Sequence, residues 1–259
     1  MFRKKIYPIV LVLCIFLGFY WSTTITLTTF ITSSSTNIDT NPSIVTLENL
    51  SDLDFTGVNK FRNSVVKISI LNQKNTNLYG TGFFISDNKI ITTAHCLQVK
   101  DGVYIGSFNI QFSYQQTDGT IIYSKYYQCQ VDLLDPEKDI AIGIANNNWV
   151  LLISQPLNLS QKKVDKNQTV TCYGYPGGND FISTTGTFSG LENISVQDKF
   201  KNNRSIKNAL QCKMTIKPGN SGGPLITDTD YLVGIICSSN PTKNTSHAIN
   251  TLDAYFVIY

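Results

Sequence analysis

Residues 217–224 read Lys217-Pro-Gly-Asn-Ser-Gly-Gly-Pro224, and no regular element can run through them. Three glycines and two prolines within eight residues impose a tight turn. Gly219 stands two places before the serine and Gly222 and Gly223 follow it. Glycine reaches backbone angles that other residues avoid, so the amides of Gly219 and Ser221 can both face a carbonyl that the Ser221 hydroxyl attacks. The stretch reads as a nucleophile beside an oxyanion hole. A serine hydroxyl is weak near neutral pH, so such a reading requires a base to take its proton and a carboxylate to orient the base. The chain has two histidines, His95 and His247. His95 closes the apolar run Ile90-Ile-Thr-Thr-Ala-His95, Asp139 lies 44 positions later, and Ser221 82 after that. Each piece alone has a plainer reading: an ordinary loop, a satisfied polar residue after a strand, a strand cap. Together, in the order His, Asp, Ser, they point to acyl transfer.

The rest of the sequence is strand-like. Val66, Ile68 and Ile70 alternate with polar neighbours, as do Phe108, Ile110, Phe112 and Tyr114. A further strand-like run spans residues 123–134, and Asp135-Pro-Glu-Lys138 is the turn that ends it. Residues 149–167 have the character of an interdomain crossing, residues 170–178 and 184–190 carry the second half, and residues 252–259 suit a short closing helix. Many short strands with Gly, Asn and Asp turns predict an all-β pair of barrels. At 259 residues the chain is long enough for two barrels of about 100 residues each. No internal sequence repeat is visible.

The motifs Gly80-Thr-Gly-Phe-Phe-Ile-Ser86, Thr92-Thr-Ala-His-Cys96, Asp135-Pro-Glu-Lys-Asp-Ile-Ala141, the run from Leu210 through Ser221 to Leu225, and Leu232-Val-Gly-Ile-Ile236 resemble those of the chymotrypsin-fold serine peptidases, most like the HtrA-type and glutamyl-endopeptidase branch. The resemblance covers residues 60–257. It implies two Greek-key six-stranded barrels, residues 60–150 carrying His95 and Asp139 and residues 151–259 carrying Ser221, with the site in the cleft between them. It implies a serine endopeptidase with catalytic His95, Asp139 and Ser221, an oxyanion hole of Gly219 and Ser221, and a polypeptide substrate bound as an extended strand, with no metal or organic cofactor. Matched by position, the specificity pocket is lined by Thr215, Ile216, Ile236 and Ser239, with His247 either receiving an acidic side chain or standing on a strand edge. Thr215, Ile216, Ile236 and Ser239 carry no charge, so a preference for Lys or Arg lacks its counter-ion. By family topology Cys172 and Cys212 share a barrel and form the expected disulfide, while Cys96 lacks the upstream partner that animal enzymes supply. Asn220 replaces the aspartate that pairs with a new amino terminus in digestive-type enzymes, which implies a cleft competent without that cleavage. Cys237 stands where relatives place a serine that bonds the buried aspartate, and a thiol donates weakly. No stretch of this sequence is left for a PDZ module.

Two other readings remain. Gly219-Asn-Ser-Gly-Gly223 also fits the nucleophile elbow of α/β-hydrolases, with Asp228 or Asp230 and then His247 in that family's order, although 26 residues between Ser221 and His247 leave little room for that fold. The chain can also be a peptidase-fold binding protein with an inaccessible cleft.

The amino terminus is a separate region. Arg3, Lys4 and Lys5 account for all of the formal charge of +3, so the remainder is neutral and nothing electrostatic suggests a nucleic-acid partner. Residues 6–21 are sixteen mostly apolar positions without a charge, longer than a usual signal core and shorter than the roughly 20 that span a bilayer. Residues 1–31 read as a signal peptide or an uncleaved signal-anchor, the only membrane contact expected, which carries the remainder to the extracytoplasmic side, secreted or anchored. Residues 32–59 read as a polar linker. Six sequons, at Asn49, Asn158, Asn167, Asn193, Asn203 and Asn244, agree with a glycosylated secretory protein.

Overall fold

The computed structural model describes residues 53–71, 77–145, 155–201 and 203–258. The amino-terminal segment 1–31 and Asn49 lie outside the described residues.

The first half supplies β1 (Val65–Leu71), β2 (Asn77–Phe84), β3 (Lys89–Thr92), β4 (Gln98–Lys100), β5 (Val103–Tyr104), β6 (Ser107–Gln111), β7 (Ser113–Gln115), β8 (Ile121–Tyr123), β9 (Tyr127–Asp135) and β10 (Ile140–Ala145). The second supplies β11 (Thr169–Gly174), β12 (Ile182–Gln197), β13 (Asn203–Lys213), β14 (Pro224–Thr227), β15 (Leu232–Asn240) and β16 (Thr245–Asn250), closed by helix α1 (Thr251–Ile258). Two closed six-stranded barrels result, in the orders β1-β2-β3-β10-β9-β6 and β11-β12-β13-β16-β15-β14. β4 with β5 and β7 with β8 form two small hairpins beside the first barrel. Among the described residues every sheet is antiparallel, which leaves no parallel sheet for the α/β-hydrolase reading and overturns it.

Three apolar cores hold the molecule. Val66, Ile68 and Ile70 fill the first barrel with Phe84, Ile90, Phe108 and Phe112, and Val170, Phe188, Leu210 and Leu225 fill the second. The third core lies between the barrels and draws Val65, Phe83, Ile91 and Ile140 from one and Tyr173, Tyr175, Ile226 and Ile235 from the other. β1 departs from simple alternation: every residue except Leu71 is buried, because its outward face meets the shared core at Val65 and the Tyr123 and Tyr126 rings at Lys67. Tyr175 and Arg62 find polar partners there. The Tyr175 hydroxyl lies 3.0 Å from Ser113 Oγ, and Arg62 Nη1 donates to the same oxygen at 2.9 Å while its guanidinium rests on the Phe181 ring.

The start of the described chain packs on the first barrel. Leu53 forms a bridge with Gln116, Asp54 N donates to Gln115 O at 2.7 Å, and a 3-10 helix follows over Gly57–Ser64. After the second gap, Leu157 N donates to Phe84 O at 2.8 Å and Ser160 N to Leu232 O at 3.1 Å, so the crossing segment touches both barrels.

The expected disulfide is corrected. Cys172 and Cys212 are both free thiols buried in the second barrel core. They sit on β11 and β13, which each pair with β12 and not with one another. Two strand spacings separate their backbones by about 9–10 Å, beyond the Cα span of about 7 Å that a disulfide tolerates.

Candidate active site

β3 and β10 are antiparallel neighbours, with Thr92 opposite Ala141. The end of one and the start of the other therefore lie side by side, and this adjacency brings His95 to Asp139. His95 sits in a single 3-10 turn, Ala94–Leu97, just after β3. Asp139 ends the turn opened by Asp135, whose Oδ1 accepts from Lys138 N at 2.9 Å. Asp139 is fully buried and takes a left-handed backbone conformation, φ 58°, a strained state that persists only where the surroundings hold it. Here they do: Ala94 N donates to its carbonyl at 3.1 Å and His95 N to its Oδ1 at 2.9 Å. The imidazole Nδ1 is 2.8 Å from Asp139 Oδ2.

Ser221 comes from the other barrel, in the turn between β13 and β14. Its carbonyl accepts from Thr81 N on β2 at 2.8 Å and from Cys96 Sγ at 3.4 Å, which sets the serine backbone beside the residue that follows His95. The Pro218 carbonyl accepts from Gly177 N at 2.8 Å and the Asn220 carbonyl from Gly223 N at 2.9 Å. A trans peptide points its N–H opposite to its C=O, so these two bonds turn the amides of Gly219 and Ser221 out of the turn's internal pairing. Gly219 has φ 100°, and a Cβ there would stand 2.4 Å from Gly177 N. Both its backbone angle and the close approach require glycine. Asn220 is buried.

Thr81 carries a role that sequence reasoning missed. Its hydroxyl donates to Gly219 O at 2.6 Å and accepts from Tyr175 N at 3.0 Å, so one β2 side chain ties the first barrel to the serine turn. A threonine in a strand gives no signal of this.

A second missed residue is Arg204, at the start of β13. Its Nη1 contacts Asp139 Oδ2 and lies 2.7 Å from His95 Nδ1. Its neighbours, Lys201 to Lys207, carry no catalytic motif. The one available signal is composition: beyond Arg3 the chain has only Arg62 and Arg204 among 18 lysines, and both arginines are almost buried. The thiol of Cys237 donates to His247 O at 3.3 Å. Burial, with the Asp139 carboxylate nearby, pushes that thiol up. Burial likewise pushes Cys96 up to about 11, so despite its place beside His95 it is a thiol and no rival nucleophile.

The remaining sequence-predicted residues divide. Ile216 and Ile236 are buried in the second barrel core, and Thr215 Oγ1 bonds Asn244 Oδ1. Ser239 and His247 line a cavity of about 260 Å³ together with Glu192, Val196, Gln211 and Lys243. His247 Nδ1 is 3.1 Å from Ser238 Oγ, and its Nε2 is 3.3 Å from Glu192 Oε2, which Gln211 Nε2 also contacts. Among the described residues no cluster of His, Cys, Asp and Glu suits a metal ion, and no helix is long and apolar enough to cross a membrane.

A family model of the trypsin-like peptidase domain matches residues 80–235. The chain is 29% identical over 206 residues to Protease Do-like 2, chloroplastic, of Arabidopsis thaliana, covering 74% of this chain and 31% of that protein. It is 28% identical over 177 residues to the serine protease Rv3671c of Mycobacterium tuberculosis, covering 67% of this chain and 39% of the relative. It thus spans about a third of the length of these relatives. In three dimensions it is similar to the crystal structure of the active form of the Rv3671c protease, with a TM-score of 0.59 at 23% identity over 86% of this chain and 89% of that one. It is also similar to the HtrA-type protease AlgW with a tripeptide, with a TM-score of 0.53 at 21% identity over 76% of this chain and 59% of the other.

Proposed function

The chain belongs to the trypsin-like peptidase family, and from that premise we propose that it is a serine endopeptidase in which Ser221, His95 and Asp139 cleave a polypeptide through an acyl-enzyme. The observation that carries the reading is the buried Asp139 carboxylate 2.8 Å from His95 Nδ1, beside a glycine turn that presents Ser221 from the other barrel. Ser221 Oγ attacks the peptide carbonyl, His95 takes its proton and returns it to the leaving amine, and Asp139 orients the ring and stabilises its charged form. The Gly219 and Ser221 amides hold the oxyanion. Water then releases the acyl group by the same steps.

The cavity beside β12 receives the side chain before the scissile bond, and the substrate lies as an extended strand across the cleft. The basic start and apolar run of residues 1–31 support delivery of this body to the extracytoplasmic side. Hydrolysis of a peptide library and fluorophosphonate labelling test the assignment. Ser221→Ala is expected to lower kcat by about a millionfold, the scale of an intact triad, and to abolish labelling. Equal hydrolysis by parent and variant would sink it, and an unreactive Ser221 in folded protein would favour a binding role.

A further inference from the structure

Arg204 sets a problem of protons at the centre of the site. Its Nη1 contacts Asp139 Oδ2 and lies 2.7 Å from His95 Nδ1, while Nδ1 is itself 2.8 Å from Asp139 Oδ2. A guanidinium has only donors. If Nδ1 carries the hydrogen that a competent base donates to its carboxylate, that hydrogen confronts the N–H of Arg204 across the 2.7 Å contact. The confrontation is relieved when Nδ1 is bare and accepts from Nη1, whose second hydrogen goes to Asp139 Oδ2. The guanidinium then bridges the two acceptors, the 2.8 Å Nδ1–Oδ2 approach carries no hydrogen, and the ring hydrogen sits on Nε2. An imidazole with Nε2–H has no lone pair for the Ser221 proton.

Two further observations agree. The ring's polar contacts run to Asp139 and Arg204, Ser221 meets this wall through its carbonyl, and among the described residues no hydrogen bond joins Ser221 Oγ to the imidazole. Arg204 Nε is buried with no partner, so the guanidinium gives up a hydrogen bond here that water would supply.

We propose that Arg204 is a latch: a positioning residue that holds His95 in the tautomer unable to act as base until an occupant of the cleft moves it aside. The inference rests on the peptidase reading of Ser221, His95 and Asp139. Latch and cleft share one hairpin. Val196, the register partner of Arg204 across β12 and β13, lines the cavity with Glu192, so a peptide seated there bears on the strand that carries the latch. Release makes and breaks no heavy-atom bond. Arg204 exchanges its two contacts for water, the Nε2 hydrogen passes to solvent, and one from solvent is taken up on Nδ1 and donated to Asp139.

The test compares the full chain with Arg204→Met, which keeps the apolar stem, and Arg204→Lys, which keeps a cation. Fluorophosphonate labelling reads the nucleophile. Nitrogen-15 NMR of the imidazoles reads the tautomer, with His247→Gln added so that the remaining ring is His95. Arg204→Met is expected to label about tenfold faster, the factor by which a nine-tenths latched population slows the parent, and to move the ring hydrogen from Nε2 to Nδ1. Arg204→Lys is expected to retain slow labelling and the Nε2 hydrogen. A parent that already carries Nδ1–H and labels as fast as Arg204→Met overturns the latch. So does slower labelling by Arg204→Met that Arg204→Lys restores, which would make Arg204 a support for Asp139. If no variant labels while the parent carries Nε2–H, the peptidase reading fails and the latch geometry stands. If none labels and the parent carries Nδ1–H, both fail.

Discussion

Asp139 shows what one residue must satisfy at once. Its left-handed backbone suits aspartate or asparagine better than most residues, because a short polar side chain tolerates that region. Asp139→Asn therefore keeps the local shape, yet its amide cannot both accept from His95 N and hold the ring in the base-competent tautomer. We expect kcat to fall by about 10⁴ together with some loss of melting temperature, because Arg204 is left facing a neutral amide, and a retained kcat beside that loss would mean the residue is only structural. Thr81 poses the converse case. Thr81→Val is nearly isosteric but strands the Gly219 carbonyl and the Tyr175 amide, now bonded at 2.6 and 3.0 Å. Two buried unpaired groups at roughly 1–3 kcal/mol each predict a loss of about 2–6 kcal/mol in urea unfolding. A loss under about 0.5 kcal/mol, the scale of an inert substitution, would show that these groups find other partners. His95, Asp139 and Ser221 stood out in the sequence because glycine, proline and the scarcity of histidine mark them. Thr81 and Arg204 did not, since a mid-strand threonine and an arginine at the start of a strand gain their roles only from residues 138 and 65 positions away.

At the scale of elements, periodicity reports whether a face is buried and not what buries it. β1 was legible as a strand from Val66, Ile68 and Ile70, but the burial of Lys67 depends on the Tyr123 and Tyr126 rings, far along the chain, that no local pattern describes. The turn at residues 135–138 was legible because Asp and Pro have fixed turn chemistry. The Cys172–Cys212 pairing failed because sharing a barrel is weaker than sharing a ladder, and β12 stands between the two strands. The same hairpin bears on substrate choice. Glu192 on β12 occupies His247 Nε2 and lines the cavity, so a glutamate side chain entering there meets a like charge. A peptide library is expected to show no preference for Glu over Leu before the scissile bond. Glu192→Gln is expected to raise the relative rate for Glu roughly fivefold, the scale of 1 kcal/mol between partly solvated charges. Strong selection for Glu by the parent would place the acidic side chain elsewhere.

The whole molecule repeats one strand order in two barrels although the sequence carries no visible repeat, since a barrel constrains alternation and turns and not residue identity. Its cores also hold four buried thiols, Cys129, Cys172, Cys212 and Cys237, all free. Burial pushes every one of them up, Cys129 and Cys212 to about 12 from an ordinary 9.0. Tyr175 shifts the same way, to about 12. Above pH 9 an unfolded chain gives up thiol protons that the native protein keeps, so the unfolded state binds fewer protons and stability must fall as pH rises. Each thiol contributes about 1.4 kcal/mol per pH unit within that window. Four together approach the whole stability of a typical domain within about two units, so cooperative unfolding should precede thiol titration. Urea midpoints are expected to be insensitive to these groups below pH 8 and to drop steeply between pH 9 and 11, with Cys212→Ala showing a slope shallower by one thiol's share. The slope also tests the free state of the Cys172 and Cys212 pair. Identical slopes with and without reductant are expected, whereas a shallower slope in the absence of reductant would mean that two thiols had left the titrating set as a disulfide.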